Sequence, residues 1–580
     1  MAMAPNEVRV ATQAELQADG VRVVAGNGRR IAVFADGDRV FAVENNCPHM
    51  GFPLDRGSVR DGILTCHWHQ ARFDLQSGCT FDLWADDVPR YVTRIEDGVV
   101  FVARDPSTPM STAWHRQRLL RAIEQNVGLV QAKSILALLE LDTGLAQILE
   151  LAVPYAARNL QGASEGLTRL GCVANLFSDL TRDTATLALY YAIRQLASDT
   201  SSVIPRRERQ PLDGTHTLST LQGWLAQWVI TRHRDGAERT LLTGVAQLED
   251  SALAALLFGA ASERLYANGG HLLEDCNKAF EFAERLGRDH ARDLFALTIP
   301  GMTDSRGEEE STHWHHPIEI VTPLRALEAE LPSLLTAARN PHWRADEQFM
   351  RTLLGDDPLA VLELLRNAFI HGAPAAALAR QIAYGAGLRL ARFATSNEIT
   401  DWFNPQHTLI HAHAAWRAVG RDTSPVVVRT LLHAAIALYH DRFLNVPPAW
   451  LPEERGNPSS LGADASVAHR SLLALLDQRG SIETVAELVS HWMQSPLLFA
   501  ELVDALTAAT VREDIDFHCL QVLDASVQQA RAWGEQSAEA RQIMVGAVRN
   551  LAAHCPTRRA GQQTAEIAAR LHRGDRIYEA

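Results

Sequence analysis

The sequence predicts a multidomain protein in which a small all-β domain precedes a large all-α domain. Short apolar runs separated by Gly and Asp-Gly turns fill residues 1–105, a pattern typical of strands in a small sheet. Residues 106–112 are rich in Pro, Ser and Thr, which indicates a linker. From residue 113 to residue 580, apolar residues recur at three- and four-residue steps, the spacing of amphipathic helices.

Turn signals support the β domain. Apolar runs at residues 30–34 and 39–43 flank an Asp-Gly pair, which predicts a hairpin. A second Asp-Gly pair leads into the apolar run at 99–102, and glycines separate short runs between the two turns. These residues therefore predict antiparallel strands joined by short connections.

Two short motifs in this domain supply four metal-ligating side chains. Cys47 and His49 form C-x-H, and after sixteen residues Cys66 and His69 form C-x-x-H. Two thiolates and two imidazoles can hold a [2Fe-2S] cluster with Cys on one iron and His on the other. Zinc binding and a chance pairing are the alternatives, although zinc sites usually combine C-x-x-C with H-x-x-H spacings.

These motifs, together with the Gln-Ala-Arg-Phe-Asp segment at 70–74, resemble the Rieske family over about the first 105 residues. The resemblance implies one [2Fe-2S] cluster in the small β domain. It places Cys47 and Cys66 on the buried iron as thiolates. It places His49 and His69 on the outer iron as neutral imidazoles, with the imidazole edges as the electron port.

Three neighbouring positions refine the resemblance. Gln70 stands where the family has Gly after the second His ligand. This difference affects the expected shape of the turn but not the choice of ligands. Phe52 and Trp68 occupy the positions where membrane-complex Rieske proteins carry an extra disulfide. The domain is therefore similar to the ferredoxin and ring-hydroxylating-oxygenase type. His67 is expected to face solvent or to support a ligand rather than to bind iron.

The all-α domain is predicted to be a helical bundle or an α-solenoid. Three long polar loops interrupt the helices at 200–216, 300–316 and 444–461, and loops of that length are often functional. A break between two lobes is expected near 300–316 or near 444–461. The clearest helical segments are 114–126, 183–198, 251–268, 374–394 and 425–443.

A second metal site is expected at His407 and His411 in the helical domain. These residues lie four apart, so one helical face can present both imidazoles to one ion. With Asn404 they form N-x-x-H-x-x-x-H, which resembles the mononuclear-iron motif of Rieske oxygenase catalytic subunits. Those subunits are built around an antiparallel sheet, whereas this region is predicted to be helical, so their fold is not carried over. The alternative is a polar helical face that packs between helices.

Other histidines in this domain have a second candidate ligand nearby in sequence, on a shared helix face or, for Glu310 and His313, in an acidic loop. Taken singly each is expected to be structural, but several such helices can converge on one interior site. The pairs are His271 with Glu274, Glu310 with His313, and His433 with His440. Segments 269–281, 316–317 and 441–448 are also similar to the C-terminal region of bacterial Rieske-domain proteins, a resemblance that implies no activity.

Charge and hydropathy restrict the function further. The net charge of −14, without a basic stripe, argues against nucleic-acid binding. No apolar run is long enough to span a bilayer, and the N-terminus carries no export signal, so a cytoplasmic protein is expected. Five further cysteines are scattered and are expected to be reduced thiols.

The sequence therefore predicts a Rieske-type oxidoreductase. Electrons would come from a separate reductase or ferredoxin, because the chain shows no flavin or nicotinamide fingerprint. They would reach a metal ion or a haem among the helices, where O2 oxidises an organic small molecule. The alternative is an electron-transfer or redox-sensing protein whose helical domain is a docking scaffold.

Overall fold

The computed structural model divides the chain into two compact units. The first unit combines residues 1–144 with residues 561–580, and the second comprises residues 145–560. The structure describes residues 6–82, 84–107, 111–336, 339–455, 464–573, 575 and 577.

The described part of the first unit contains two antiparallel sheets. The larger has six strands in the order β1-β9-β8-β4-β3-β2, and the smaller has three in the order β5-β6-β7. The strands are β1 Glu7–Thr12, β2 Val21–Ala25, β3 Arg30–Asp36, β4 Arg39–Glu44, β5 Ser58–Arg60, β6 Ile63–Thr65, β7 Arg72–Asp74, β8 Arg90–Glu96 and β9 Val99–Pro106.

Both predicted hairpins are present. Strands β3 and β4 pair antiparallel with Phe34 opposite Phe41, and β8 pairs with β9 across the Asp97-Gly98 turn. Asp97 and Gly98 have φ angles of 49° and 75°, and two positive values suit the tight turn that right-twisted strands need. The prediction of a small β domain is confirmed.

A buried apolar cluster fills the space between the two sheets of the first unit. Phe34 from β3, Leu64 from β6 and Phe73 from β7 are almost fully buried in it. Cys47 and Cys66 belong to the same cluster, at 3% and 1% exposure. The two candidate thiolate ligands are thus held by the core rather than by mobile surface loops.

Helices complete the first unit beyond the predicted domain boundary at residue 105. Strand β9 continues to Pro106, helix α2 starts at Thr112, and residues 108–110 of the expected linker lie outside the described part of the chain. The Lys133 ammonium of the third helix donates a hydrogen bond to the Pro48 carbonyl beside the first cysteine motif. The helices are α1 Gln13–Asp19, α2 Thr112–Glu124 and α3 Gly128–Glu140, with α24 Ala560–His572 joining this unit from Gly561.

Helices are the regular elements of the second unit among the residues the structure describes, as predicted. Within the expected loop at 300–316, the first residues are helical, because α12 extends to Asp304. Residues 456–461 of the third expected loop lie outside the described part. The helices are α4 Leu145–Asn159, α5 Glu165–Leu176, α6 Arg182–Thr200, α7 Leu218–Ile230, α8 Arg234–Gln247, α9 Asp250–Ala261, α10 His271–Leu286, α11 Arg288–Ala296, α12 Ile299–Asp304, α13 Val321–Leu334, α14 Glu347–Leu353, α15 Pro358–Ile370, α16 Ala375–Ala391, α17 Phe403–Arg421, α18 Pro425–His440, α19 Ala465–Leu476, α20 Ile482–Gln494, α21 Phe499–Val511, α22 His518–Trp533 and α23 Ala538–His554.

The division of this unit into two lobes, and the choice between a bundle and a solenoid, stay predictions. None of the helices among the described residues has the length and apolar character needed to cross a bilayer.

Candidate metal centres

Two loops of the same construction carry the cysteine and histidine motifs of the first unit. In the first loop, the Cys47 N–H donates to the Phe52 carbonyl at 2.8 Å. In the second, the Cys66 N–H donates to the Ala71 carbonyl, also at 2.8 Å. Each loop turns through one residue with positive φ, Gly51 at 77° in the first and Gln70 at 66° in the second. Gln70 thus adopts the left-handed conformation for which glycine would otherwise be favoured.

Both sulfur atoms lie against converging backbone N–H groups. The N–H groups of His49 and Met50 face the Cys47 sulfur, and those of Trp68 and His69 face the Cys66 sulfur. The Cys47 thiol donates a hydrogen bond to Cys66, and this bond together with the N–H groups lowers the pKa of Cys66 to about 6. The same contact and burial raise the pKa of Cys47. Thiolate character is what an iron ligand requires.

The two imidazoles stand next to each other. The ring centres of His49 and His69 are 4.9 Å apart, and His69 is exposed while His49 is half-buried. Burial, with the nearby His69 and Lys133, lowers the pKa of His49 to about 4, so this ring is neutral at pH 7. The His49 Nδ1 atom is buried without a hydrogen-bond partner among the described residues. An unpaired buried nitrogen is costly unless it binds a metal, so the four residues fit a [2Fe-2S] cluster.

Side chains other than the four candidate ligands also line this site. Trp84 packs edge-on against His49 with ring centres 4.7 Å apart, and Trp68 lies 4.4 Å from the His69 ring. Both indoles are about 40% exposed, at 41% and 39%. His67 is exposed and contacts the Ser58 hydroxyl at 3.0 Å, as expected for a residue that does not bind iron. The position of Trp84 depends on a long-range contact that the motif spacing does not encode.

Three helices of the second unit bring three imidazoles together. His271 and His518 are the first residues of α10 and α22, and His407 lies in the first half of α17. The His518 Nε2 atom is 3.0 Å from the His407 Nε2 atom and 3.4 Å from the His271 Nε2 atom. One ring nitrogen from each of the three lies within 4.8 Å of the other two. We call these residues the three-histidine group.

The surroundings of the three-histidine group keep two of its rings neutral and hold the third in place. Burial, with the neighbouring His518, lowers the pKa of His271 to about 4. Burial, with His271 and His518, lowers the pKa of His407 to about 3. The His518 Nδ1 atom donates to the Asp516 carboxylate at 3.0 Å, which assigns its proton to Nδ1. Phe517 packs on both His518 and His271.

An unusual turn precedes His271. Tyr266 and Asn268 have φ angles of 45° and 54°, and Gly269 and Gly270 follow at 60° and 89°. Non-glycine residues rarely adopt positive φ, and clusters of such strain are typical of functional sites. A Cβ atom on Gly269 would lie 3.5 Å from the His407 Nδ1 atom. The turn therefore sets where α10 starts and keeps the space beside His407 small.

His411, the expected partner of His407, is directed elsewhere. Its Nδ1 atom donates to the Gly270 carbonyl at 3.1 Å, and its buried Nε2 atom has no partner among the described residues. His407 is instead grouped with His271 and His518. His518 received no role from the sequence, because it lies 111 residues from His407 and no local spacing links them.

The other histidine pairs serve the packing of the second unit. His433 contacts Glu328 at 2.7 Å, and Glu274 forms an ion pair with Lys278 at 3.2 Å rather than with His271. His313 and His440 lie on the wall of a cavity, with ring centres 5.1 Å apart.

A cavity of about 450 Å³ borders His407 in the second unit, and we call it the Tyr266 cavity. Its volume is in the range of small-molecule sites. Aromatic, acidic and basic groups meet in it: Trp314 stacks on His440 with centres 4.9 Å apart, and Arg442 lies 4.0 Å from the ring centres of both Tyr439 and Phe443. Such a wall suits a small organic molecule with polar substituents.

Comparison with known proteins identifies relatives of the first unit. A family model described as the Rieske [2Fe-2S] domain matches residues 6–91. The chain is 39% identical to the ferredoxin subunit of anthranilate 1,2-dioxygenase from Burkholderia cepacia over 80 residues, which are 14% of this chain and 73% of that protein.

Two further relatives match short stretches of the chain. The oxygenase subunit of vanillate O-demethylase from a Pseudomonas strain is 46% identical over 43 residues, 7% of this chain and only 13% of that protein. The ferredoxin of carbazole 1,9a-dioxygenase from Nocardioides aromaticivorans IC177 is 29% identical, with a TM-score of 0.17, over 17% of this chain and 99% of that one.

Proposed function

The chain belongs to the Rieske [2Fe-2S] domain family through its first unit, and from this premise we propose that it is an electron-transferring oxidoreductase with an oxygenase-like helical unit. The first unit would accept electrons from a separate reductase or ferredoxin. The second would receive them at a metal ion or a haem, where O2 oxidises an organic small molecule.

The observation that carries the proposal is the set of ligands on the two facing loops. Cys47 and Cys66 would hold one iron and His49 and His69 the other. When bound, such a cluster supplies reversible one-electron transfer. The chain contributes backbone N–H groups that stabilise negative charge on the sulfurs, and a low-polarity core behind them.

The exposed edge of the site supports exchange with a partner. His69 is exposed beside the exposed indole of Trp68, and the exposed indole of Trp84 packs on the neighbouring His49. Exposed aromatic side chains are enriched where proteins bind one another. A redox partner that packs on these indoles would therefore come close to the His69 imidazole, which is where electrons would enter.

The Tyr266 cavity supports the second half of the proposal. It offers volume for an organic molecule and borders the three-histidine group at His407. A helical unit that served only as a scaffold would need neither feature. The scaffold alternative is tested by the experiments below.

The ligand assignment is tested by Cys66→Ala in the full chain. We expect the electron-spin signal of the reduced cluster to disappear, because one iron loses a thiolate. Cys79→Ala is the matched control, since Cys79 is an exposed cysteine of the same domain outside the motifs, and it should keep the signal. A normal signal in the Cys66 variant would contradict the assignment.

The destination of the electrons is tested by reoxidation. The chemically reduced wild-type protein is mixed with O2, and the visible absorption of the cluster is followed. We expect His407→Ala to slow reoxidation at least about tenfold, a barrier change of about 1.4 kcal/mol, while the cluster signal stays intact. Equal rates in both proteins, with two irons per chain and no haem band in the wild type, would favour the scaffold.

A further inference from the structure

We propose that His271, His407 and His518 bind one divalent first-row transition-metal ion through their three Nε2 atoms. The site lies entirely within the second unit, and its geometry is independent of the cluster domain. Only its role as the acceptor of electrons rests on the function proposed above.

The nitrogen spacing matches metal coordination. Imidazole nitrogens bind such ions at about 2.1 Å. When the nitrogen–metal–nitrogen angle lies between the octahedral and the tetrahedral value, two such nitrogens are about 3.0 to 3.4 Å apart. The observed distances from the His518 Nε2 atom are 3.0 Å to His407 and 3.4 Å to His271. One ion can therefore reach all three nitrogens without a large movement of the helices.

Hydrogen bonding accounts for two of the rings but not for the third. Because the His518 Nδ1 atom donates to Asp516, the free lone pair of the ring is on Nε2. That lone pair can accept one hydrogen bond from His407 at 3.0 Å. The 3.4 Å distance to His271 is longer than a normal N–H hydrogen bond. A cation is what gives all three converging nitrogens a common partner.

The support around the three-histidine group resembles that of metal sites in general. Metal-binding histidines commonly donate their second ring N–H to a carboxylate, as His518 does to Asp516. The Asp516 carboxylate also accepts from the His518 backbone N–H at 2.9 Å, so it fixes both the ring and the first turn of α22. Phe403 packs edge-on against the His518 ring, and Phe517 packs against the His271 and His518 rings.

The three imidazole ligands restrict which metal ions the site can bind. Three neutral imidazoles suit iron, cobalt, nickel, copper or zinc rather than magnesium or calcium, which prefer oxygen. Three protein ligands also leave coordination positions for water or a reactant, as in catalytic rather than structural sites. His407 is both a ligand candidate and a wall residue of the Tyr266 cavity, so a molecule in the cavity would lie beside the ion.

The experiment is a cobalt titration of the chelator-treated full chain, followed by the d–d absorption of bound Co²⁺ and by metal analysis. We expect one Co²⁺ per chain in the wild type. His271→Ala and His518→Gln should each weaken Co²⁺ binding at least about 100-fold, since each removes one of three nitrogen ligands. His413→Ala is the matched control on α17, because its ring bonds to Gln529 and not to the three-histidine group or its turn, and it should bind Co²⁺ as the wild type does.

Two results would overturn the site: no Co²⁺ uptake by the wild type, or unchanged uptake by the variants. Helicity measured by circular dichroism verifies that each variant is folded. If a variant fails to fold, Co²⁺ uptake by the wild type alone decides whether the site exists. The cluster signal is recorded in the same samples. If Co²⁺ does not bind but reoxidation still depends on the helical unit, this site is refuted while the electron-transfer function stands. If Co²⁺ binds but reoxidation does not depend on His407, the metal site stands while the proposed electron-transfer function of the helical unit is refuted.

Discussion

At the scale of single residues, Asp516 determines which nitrogen of His518 is free. Its burial opposes ionisation, but hydrogen bonds from the ring and the backbone N–H of His518 outweigh that effect and lower the pKa of Asp516. An asparagine can present its amide N–H₂ instead and no longer enforces a proton on Nδ1. We therefore expect Asp516→Asn to weaken Co²⁺ binding by about 10- to 100-fold in the titration described above. Asp514→Asn, two residues away and exposed, should leave it unchanged.

Glu328 illustrates a buried ion pair whose effect depends on pH. Its burial opposes ionisation, yet the His433 hydrogen bond and the charges of His433 and Arg325 lower its pKa to about 2 from 4.5. Stability from a lowered carboxyl pKa is present above pH 4.5 and is lost as pH falls toward 2. Glu328→Gln should therefore lower the free energy of unfolding by on the order of 3 kcal/mol at pH 7 and much less near pH 2.

Urea unfolding at a series of pH values checks this expectation. Glu330→Gln on the same helix is the control, because Glu330 pairs with Arg366 at an exposed position and should change the unfolding free energy by less than about 1 kcal/mol. A Glu328 variant whose deficit did not shrink on acidification would show that packing, not the charge, is what Glu328 contributes.

Some site residues could be predicted from the sequence, and others could not. Cys47, His49, Cys66 and His69 fall within two short motifs, so local spacing was enough to group them. His407 was predicted from its own helix, but its neighbours His271 and His518 come from helices far along the chain. Their convergence depends on how α10, α17 and α22 pack, which one sequence does not specify.

At the scale of elements, close helix packing depends on two glycines. Gly387 in α16 faces Gly546 in α23, and a Cβ atom on Gly546 would lie 2.9 Å from the Gly387 carbonyl oxygen and 3.1 Å from the Ala391 nitrogen. Backbone atoms cannot move aside as a side chain can. Gly546→Ala should thus force the helices apart and lower the unfolding free energy by about 1–3 kcal/mol.

An exposed glycine in another helix gives the opposite expectation. A Cβ atom on Gly420, near the end of α17, would meet no atom within 4 Å. Gly420→Ala should raise the unfolding free energy by about 0.5–1 kcal/mol through helix propensity alone. Urea unfolding of Gly546→Ala and Gly420→Ala tests both expectations. Destabilisation of equal size at both positions would refute the role assigned to the Gly387–Gly546 contact.

Elements differ in how far local sequence determines them. The Asp-Gly turns and the long amphipathic segments were predictable, because turn chemistry and apolar periodicity are local. The turn at residues 266–270 was not, since the segment 251–268 continues the helical pattern while Tyr266 and Asn268 adopt positive φ. Packing against His407 and His411 overrides local preference there.

At the scale of the whole molecule, the first unit is assembled from both ends of the chain. The C-terminal helix α24 joins the Rieske domain, and Leu571 closes over the first cluster loop, its Cδ2 atom 2.8 Å from where a Cβ on Gly51 would lie. The His572 Nε2 atom contacts the Glu140 carboxylate of α3 at 2.6 Å. Sequence order predicted a continuous β domain, because a contact between residues about 520 apart leaves no local signal.

Deletion of residues 561–580 should therefore make the cluster labile. Without Leu571, the loop that carries Cys47 and His49 loses its apolar cover and opens to water more often. We expect the visible absorption of the cluster to decay several-fold faster under a chelator, while the far-ultraviolet helix signal of the second unit is retained. His572→Ala is the control: it removes one partly exposed ion pair, worth less than about 1 kcal/mol, and should leave the decay rate unchanged. Equal decay in the truncated and full-length chains would mean that the two sheets alone protect the site, and that α24 serves only the packing of α3.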